Sequence, residues 1–236
     1  MGATEQGVPM TARTFRICLW PTLALGLLAA SAAPAQDTTT ASAEPPAGTY
    51  QLDPAHARLV FSLSHLGFSE YTAVFKSLSA TLAFDPAAPE KMQLTATVDP
   101  RSIETFYPDP KFDFNASLAG PEFLDAAAFP QMTFKSTRIR LTAPQEAAVT
   151  GDMTLHGVTR PVTLRVRYNG GYAGNPLDPG GARIGFSATG ALFRSEFGMG
   201  LGLPPPGTNM GVGDLVSFRI EAEFLNPDAP GVQVGP

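Results

Sequence analysis

From residue 57 onward the chain repeats one pattern, an apolar side chain at every second position over six to twelve residues, followed by a turn. Side chains alternate across an extended strand, so each such segment predicts a strand with one apolar face. Leu59, Phe61, Leu63 and His65 against Arg58, Ser62 and Ser64 predict the first, over 57–65. Leu78, Ala80, Leu82 and Phe84 mark a second over 72–84, ended by Asp85-Pro86, and Met92, Leu94, Ala96 and Val98 a third, closed by Pro100. A fourth over 131–141 carries Met132, Phe134, Ile139 and Leu141, with a change of face near Thr137 that predicts a bulge. Val149, Met153 and Leu155, then Val162, Leu164 and Val166, form two strands about a short turn. Ile184, Phe186, Ala188, Gly190 and Leu192 mark the seventh strand, and Val216, Phe218, Ile220 and Phe224 the eighth.

Eight such segments without crossover helices favour antiparallel pairing. A sheet of that size with one apolar face splits into a sandwich or curls into a barrel. The fold class expected is therefore all-β, an eight-stranded antiparallel lipocalin-like barrel. The alternation lapses between Pro100 and Pro130, where two short helical pieces are expected between strands 3 and 4, one over 111–118 and one opening at Gly120-Pro121-Glu122. Small inward residues, Ala80, Ala96, Gly151, Ala188, Gly190 and Ala222, are expected to leave space in the barrel. The stretch 195–214, rich in glycine, proline and methionine, reads as a mobile loop.

Composition changes the picture at the start of the chain. Arg13 and Arg16 precede an apolar run over 17–33, and Ala33-Pro34-Ala35 has the small-x-small form of a signal-peptidase site. The reading is an export segment over 1–35, a disordered leader over 36–48, one barrel domain over 49–225 and a flexible tail over 226–236. The run is short for a membrane span and broken by Pro21, so no stable membrane insertion is expected. The single cysteine, Cys18, lies in that segment, leaving a periplasmic or extracellular product without disulfides or a thiolate nucleophile. Loss of Glu5, Arg13 and Arg16 moves the formal charge from -5 to -6, which argues against a nucleic-acid partner.

Little in the chain has the spacing of catalysis. His56, His65 and His156 could form a three-histidine metal site, but no HxH or HExxH spacing joins them. No nucleophile elbow is present, and Asp53, Asp99, Asp152 and Glu196 sit where acids commonly cap turns. Asn115-Ala116-Ser117 has the form of a glycosylation acceptor. No cofactor is indicated, and pairing with a second copy is left open.

A set of motifs carries a family resemblance. Tyr50-Gln51-Leu52-Asp53-Pro54-Ala55-His56, His65-Leu66-Gly67-Phe68-Ser69, Glu122-Phe123-Leu124-Asp125, Phe129-Pro130, Phe134-Lys135-Ser136, the run from Gly151 through His156-Gly157 to Val162, Phe186-Ser187-Ala188-Thr189-Gly190, Arg194-Ser195-Glu196-Phe197-Gly198-Met199 and Val212-Gly213-Asp214 occur in that order. Together they resemble the YceI family of secreted lipid-binding proteins. The resemblance implies a lipocalin-like barrel around a long amphiphile, such as a polyisoprenoid or fatty-acid derivative, and no enzyme activity. It departs at Asn115-Ala116-Ser117-Leu118, where many members carry a histidine, and at the Pro204 to Pro206 run, which lengthens the following loop.

The ligand-binding residues expected are Leu59, Phe61, Leu63, His65, Phe68, Leu82, Phe84, Leu94, Phe134, Met153, Leu155, Leu164, Phe186, Ala188, Phe197, Met199, Phe218 and Ile220. His65, Lys76, Arg183 and Arg194 are candidates for head-group contact, and Phe197-Gly198-Met199 for a gate. Two alternatives stand beside this reading: a metal-assisted hydrolase using the three histidines, and a filled barrel acting as an interaction module.

Overall fold

The computed structural model describes residues 43–175, 177–178, 181–226 and 228–229. The expected export segment, the first part of the leader and most of the tail lie outside the described residues. The strands are β1 (Gly48–Leu52), β2 (Arg58–His65), β3 (Ser69–Phe75), β4 (Leu78–Phe84), β5 (Gln93–Val98), β6 (Ile103–Glu104), β7 (Met132–Ala143), β8 (Glu146–Leu155), β9 (Val158–Tyr172), β10 (Ala182–Phe193) and β11 (Leu215–Asn226). All pairings are antiparallel, and β11 closes the ring by pairing with β1 and β2.

Eleven strands make eight staves. β1 and β2 are halves of one stave, as are β3 and β4, and β5 and β6, because each half pairs with the matching half of its neighbour. The breaks are short 3-10 turns led by proline, at Pro54–His56 and Pro100–Ser102, or the dipeptide Lys76-Ser77. Between the Leu52–Phe224 and Arg58–Glu221 pairs the first stave advances six residues while β11 advances three. The surplus forms a large bulge, capped where the Asp53 carboxylate accepts from Ala55 N at 2.9 Å. Asp99 caps the turn at Pro100 in the same way.

Several expectations shift at the edges. β1 was not legible as a strand of its own, and the segment before it is packed: Tyr50 is fully buried and its hydroxyl donates to the Pro46 carbonyl at 2.8 Å, while Ala173 N donates to the Ala43 carbonyl. The expected disordered leader is therefore ordered from residue 43. At the other terminus Asn226 closes β11 and Ala229 is buried, so the barrel extends past the expected start of the tail. The crossover holds one short helix, α1 (Phe114–Ala119), capped by Asp113; the second expected helical piece is a run of turns. The bulge expected near Thr137 is present, as a register shift between Ser136 and Arg138 against β8.

Turns at the two ends have different characters. Leu66-Gly67 and His156-Gly157 each pair two positive φ angles in a tight turn, the backbone that joins twisted antiparallel strands best. They lie at the same end as the crossover and the 194–214 loop, since His65 bridges to Val212 and Tyr71 packs on Phe114. The opposite end is bounded by residues 43–47, 85–92, 143–146 and 173–175.

Candidate functional site

The interior of the barrel is hollow. A cavity of about 1110 Å³ is walled by residues from every stave. Leu59, Phe61, Leu63 and His65 come from β2, Leu82 and Phe84 from β4, Leu94 from β5 and Phe134 from β7. Met153 and Leu155 come from β8, Leu164 from β9, Phe186 and Ala188 from β10, Phe218 and Ile220 from β11, and Met199 from the loop between β10 and β11. Two expected members lie elsewhere. Phe68, at the turn after β2, is 78% exposed, and Phe197 is fully buried in the core with Phe75 and Leu155 without reaching the cavity.

The sequence reading missed the β3 wall, Tyr71, Ala73 and Phe75, and the cover made by Tyr107, Phe114, Leu118, Phe123 and Leu124. The β3 signal was there: inward positions are odd in β3 and even in β4, and the phase changes at Lys76-Ser77. Treating 72–84 as one strand hides that change. The cover has no period, so only the three-dimensional arrangement reveals it.

Two of the small inward residues do not leave space. A Cβ on Gly190 would lie 2.5 Å from Cζ of Phe218, its partner on β11, and one on Gly151 2.4 Å from Cζ of Phe134. These glycines are notches that let large rings lie flat against the wall. Ala80, Ala96, Ala188 and Ala222 do face the hollow.

Apart from Ser79, Thr97 and Thr133, a row across β4, β5 and β7, the cavity's polar groups gather at its ends. Glu44, Gln145 and Glu146 stand at one rim, with Tyr168 further in; burial and then the Glu44 charge raise the Tyr168 hydroxyl above its ordinary pKa. His65, Tyr71 and Tyr107 stand at the other rim. Among the described lining residues the one cation is Arg194, and four of its five N–H groups are committed: Nε donates to the Gly213 carbonyl, Nη1 to those of Met199 and Leu201, and Nη2 to that of Val212, all at 2.8–2.9 Å. Burial lowers its pKa and the Asp214 charge works against that. Asp214 also accepts from Ser195 N and Oγ. The stretch expected to be a mobile gate is thus pinned at both ends by the Arg194-Ser195 and Val212-Gly213-Asp214 motifs.

The other head-group candidates are engaged away from the cavity. Lys76 pairs with Glu104 at 3.0 Å. Arg183 Nη1 lies 2.9 Å from Asp53 Oδ2 and 2.5 Å from Glu223 Oε2, and its Nε 2.5 Å from Asp178 Oδ2. Burial alone would lower the Arg183 pKa, but its bonds to these three carboxylates raise it. His56 Nδ1 donates to Asp53 Oδ2 at 2.7 Å, and that bond, with the one from Arg183, holds the Asp53 carboxyl at about 2 against its burial. This network ties the β1–β2 bulge to β10 and β11.

The three histidines do not converge. His56 belongs to the network just described, His65 to the cavity rim, and His156 to a hairpin turn, where Nδ1 donates to the Phe197 carbonyl at 3.1 Å and the ring meets Phe129 edge-on. Among the described residues Asp53, His56 and Glu223 bring ligand atoms within 4.8 Å of one another, but the Arg183 guanidinium already holds the place a cation would take. Asn115 is likewise committed, accepting from Thr105 N and Oγ1 and donating to Glu104. Its role is to brace the crossover.

The model of the YceI-like domain family matches residues 50–224. A UPF0312 protein of Pseudomonas savastanoi pv. phaseolicola is 36% identical over 145 residues, 61% of this chain and 71% of its own length. A solved structure of Burkholderia cenocepacia BcnA aligns with TM-score 0.61 and 26% identity over 73% of this chain and 98% of that one. A polyisoprenoid binding domain from Saccharophagus degradans, implicated in plant cell wall breakdown, aligns with TM-score 0.52 at 15% identity over 75% of this chain and 98% of its own, a likeness of fold.

Proposed function

The chain belongs to the YceI-like domain family, and on that premise we propose that its barrel is a binding protein for a long-chain amphiphile with an uncharged head group, which it holds for transport, storage or sequestration after export to the periplasm or beyond. The observation that carries the reading is the apolar cavity of about 1110 Å³. Each methylene buried there contributes roughly 0.8 kcal/mol, so a sixteen-carbon chain gains on the order of 13 kcal/mol before ordering costs. Several kcal/mol of lost freedom still leave useful affinity.

The head group follows from what the wall lacks to offer. The lining cation, Arg194, has four of its five N–H donors committed to carbonyls of its own loop, and the carboxylates of Glu44 and Glu146 stand at one rim. A carboxylate or phosphate drawn into the cavity would lose its hydration without gaining a counter-ion, a penalty of several kcal/mol. Hydroxyl, ketone or ester heads suit His65, Tyr71 and Tyr107 at the other rim.

The test is displacement of a fluorescent long-chain probe at pH 7 by an alcohol and a carboxylic acid of equal chain length. The alcohol is expected to compete at least about tenfold better, a difference of about 1.4 kcal/mol. Preference for the acid would overturn the head-group assignment, and failure of both would remove the binding reading. Export is tested by the mass of the protein recovered from the periplasm, expected to begin at Gln36; a recovered chain retaining residues 1–35 would contradict it.

A further inference from the structure

The two rims of the cavity differ in a way that ligand enclosure does not require. The rim at residues 43–47 and 143–146 carries Glu44, Pro144, Gln145 and Glu146. Leu141 (45% exposed) and Leu177 (93%) lie at that end, whereas the opposite end exposes aromatic rings: Phe68 is 78% exposed, Phe106 71%, Tyr107 46% and Phe112 50%. Met210, on the loop that joins the β2–β3 turn through Leu66 N and the Gly211 carbonyl, is also exposed. The patch is continuous with the cavity. Tyr107 belongs to both, and its ring packs on Phe112 and Phe114, with centroids 5.9 and 5.2 Å away. Phe114 in turn lines the cavity and meets Tyr71 edge-on.

We infer that this aromatic rim docks on the interface of a lipid bilayer, so that the amphiphile passes between membrane and cavity without crossing water. The inference rests on the binding reading above and adds where the ligand is exchanged. Three observations favour a bilayer over another occupant. The exposed rings adjoin the cover of the cavity, since Tyr107 and Phe112 pack on Phe114 of its lining. Aromatic side chains, tyrosine among them, are the groups that settle at the membrane–water boundary. The charges around the patch, Glu70, Asp109, Lys111 and Asp113, are mixed in sign with acids in excess, and Lys76 and Glu104 are paired with each other. That balance provides no basic footprint for anionic lipid, so the docking partner is a zwitterionic surface held by ring burial.

The native chain has one tryptophan, Trp20. In a Trp20→Phe background, Phe112→Trp places a single reporter on the rim, and Leu177→Trp, at a residue 93% exposed beside the opposite end, serves as the control. Phosphatidylcholine vesicles are expected to shift the Phe112→Trp emission to the blue and expose it to quenching by brominated lipid. The control is expected to stay unchanged, and neither 0.5 M salt (about 4 Å Debye length) nor added anionic lipid should strengthen the response. No shift with vesicles, an equal shift in the control, or a shift that depends on protein concentration without lipid would overturn the inference, the last in favour of a protein contact.

A second variant separates this idea from the binding reading. Neither Phe68 nor Phe112 lines the cavity, so Phe68→Ser combined with Phe112→Ser is expected to leave equilibrium probe affinity within about twofold while slowing probe transfer between phosphatidylcholine vesicles at least about tenfold (about 1.4 kcal/mol). Unchanged transfer with unchanged affinity would refute docking and leave ligand binding intact. Absence of probe binding in the parent protein, alongside a normal vesicle response of the reporter, would refute the binding reading and leave the membrane surface intact.

Discussion

Replacing Ala188 by phenylalanine separates a hollow barrel from a filled one. Ala188 sits on β10 between Val166 of β9 and Ile220 of β11, and all three side chains face the cavity. In a close-packed core an added ring forces neighbours off their rotamers and removes about 1–3 kcal/mol of stability. Here the ring enters a space of about 1110 Å³, room for about 37 water-sized groups at roughly 30 Å³ each. The ligand-free protein should therefore unfold in urea within about 0.5 kcal/mol of the parent. The effect should fall on the guest: a ring that displaces about four methylenes removes about 3 kcal/mol of burial, near a hundredfold in affinity. Urea midpoints and probe titrations measure the two quantities on the same preparations. A loss above about 1 kcal/mol in the urea series with probe affinity unchanged would refute the hollow interior and restore the filled-barrel alternative.

Other positions test the scaffold around the cavity. The Asp53 carboxyl is 11% exposed and its pKa is depressed from 3.8 to about 2, so its ionised form contributes on the order of 2 kcal/mol above pH 4; that contribution is lost as pH falls through about 2. Asp53→Asn should accordingly lower stability by about 2 kcal/mol at pH 7, with the difference narrowing below pH 4 in urea titrations, and a difference independent of pH would contradict the charge network. Arg194→Met removes the donors for four carbonyls and should lower stability by about 3 kcal/mol, with faster amide exchange over residues 199–213; unaltered exchange there would show that the loop does not depend on the guanidinium. Gly151→Val should cost about 1–3 kcal/mol or block folding, because its Cβ would sit 2.4 Å from the Phe134 ring and 2.6 Å from the Lys135 carbonyl oxygen, and a neutral result would contradict the packing of that ring.

The alternation of Leu59, Phe61 and Leu63, or of Phe218 and Ile220, revealed both strand and facing side because a strand has only two faces. What stayed hidden depended on contacts between distant segments. Arg183 and Arg194 look from the sequence like available cations at strand ends, yet one is surrounded by carboxylates from three segments and the other by carbonyls of its own loop. Gly151 and Gly190 read as vacancies because the rings that occupy their notches come from neighbouring strands. The same limit applies to the ordered motifs. Asp53 with His56, Arg194 with Asp214, and His156 with Phe197 are joints of the barrel, a role that only the folded arrangement reveals.

The most direct measurement is identification of what the purified protein carries. Organic extraction followed by mass spectrometry, with native mass spectrometry to give the stoichiometry, should recover a neutral long-chain lipid at close to one per barrel, absent from the Ala188→Phe protein prepared in parallel. Recovery of no lipid from either, together with failure of a neutral long-chain probe to bind the extracted and refolded barrel, would contradict the account at its centre.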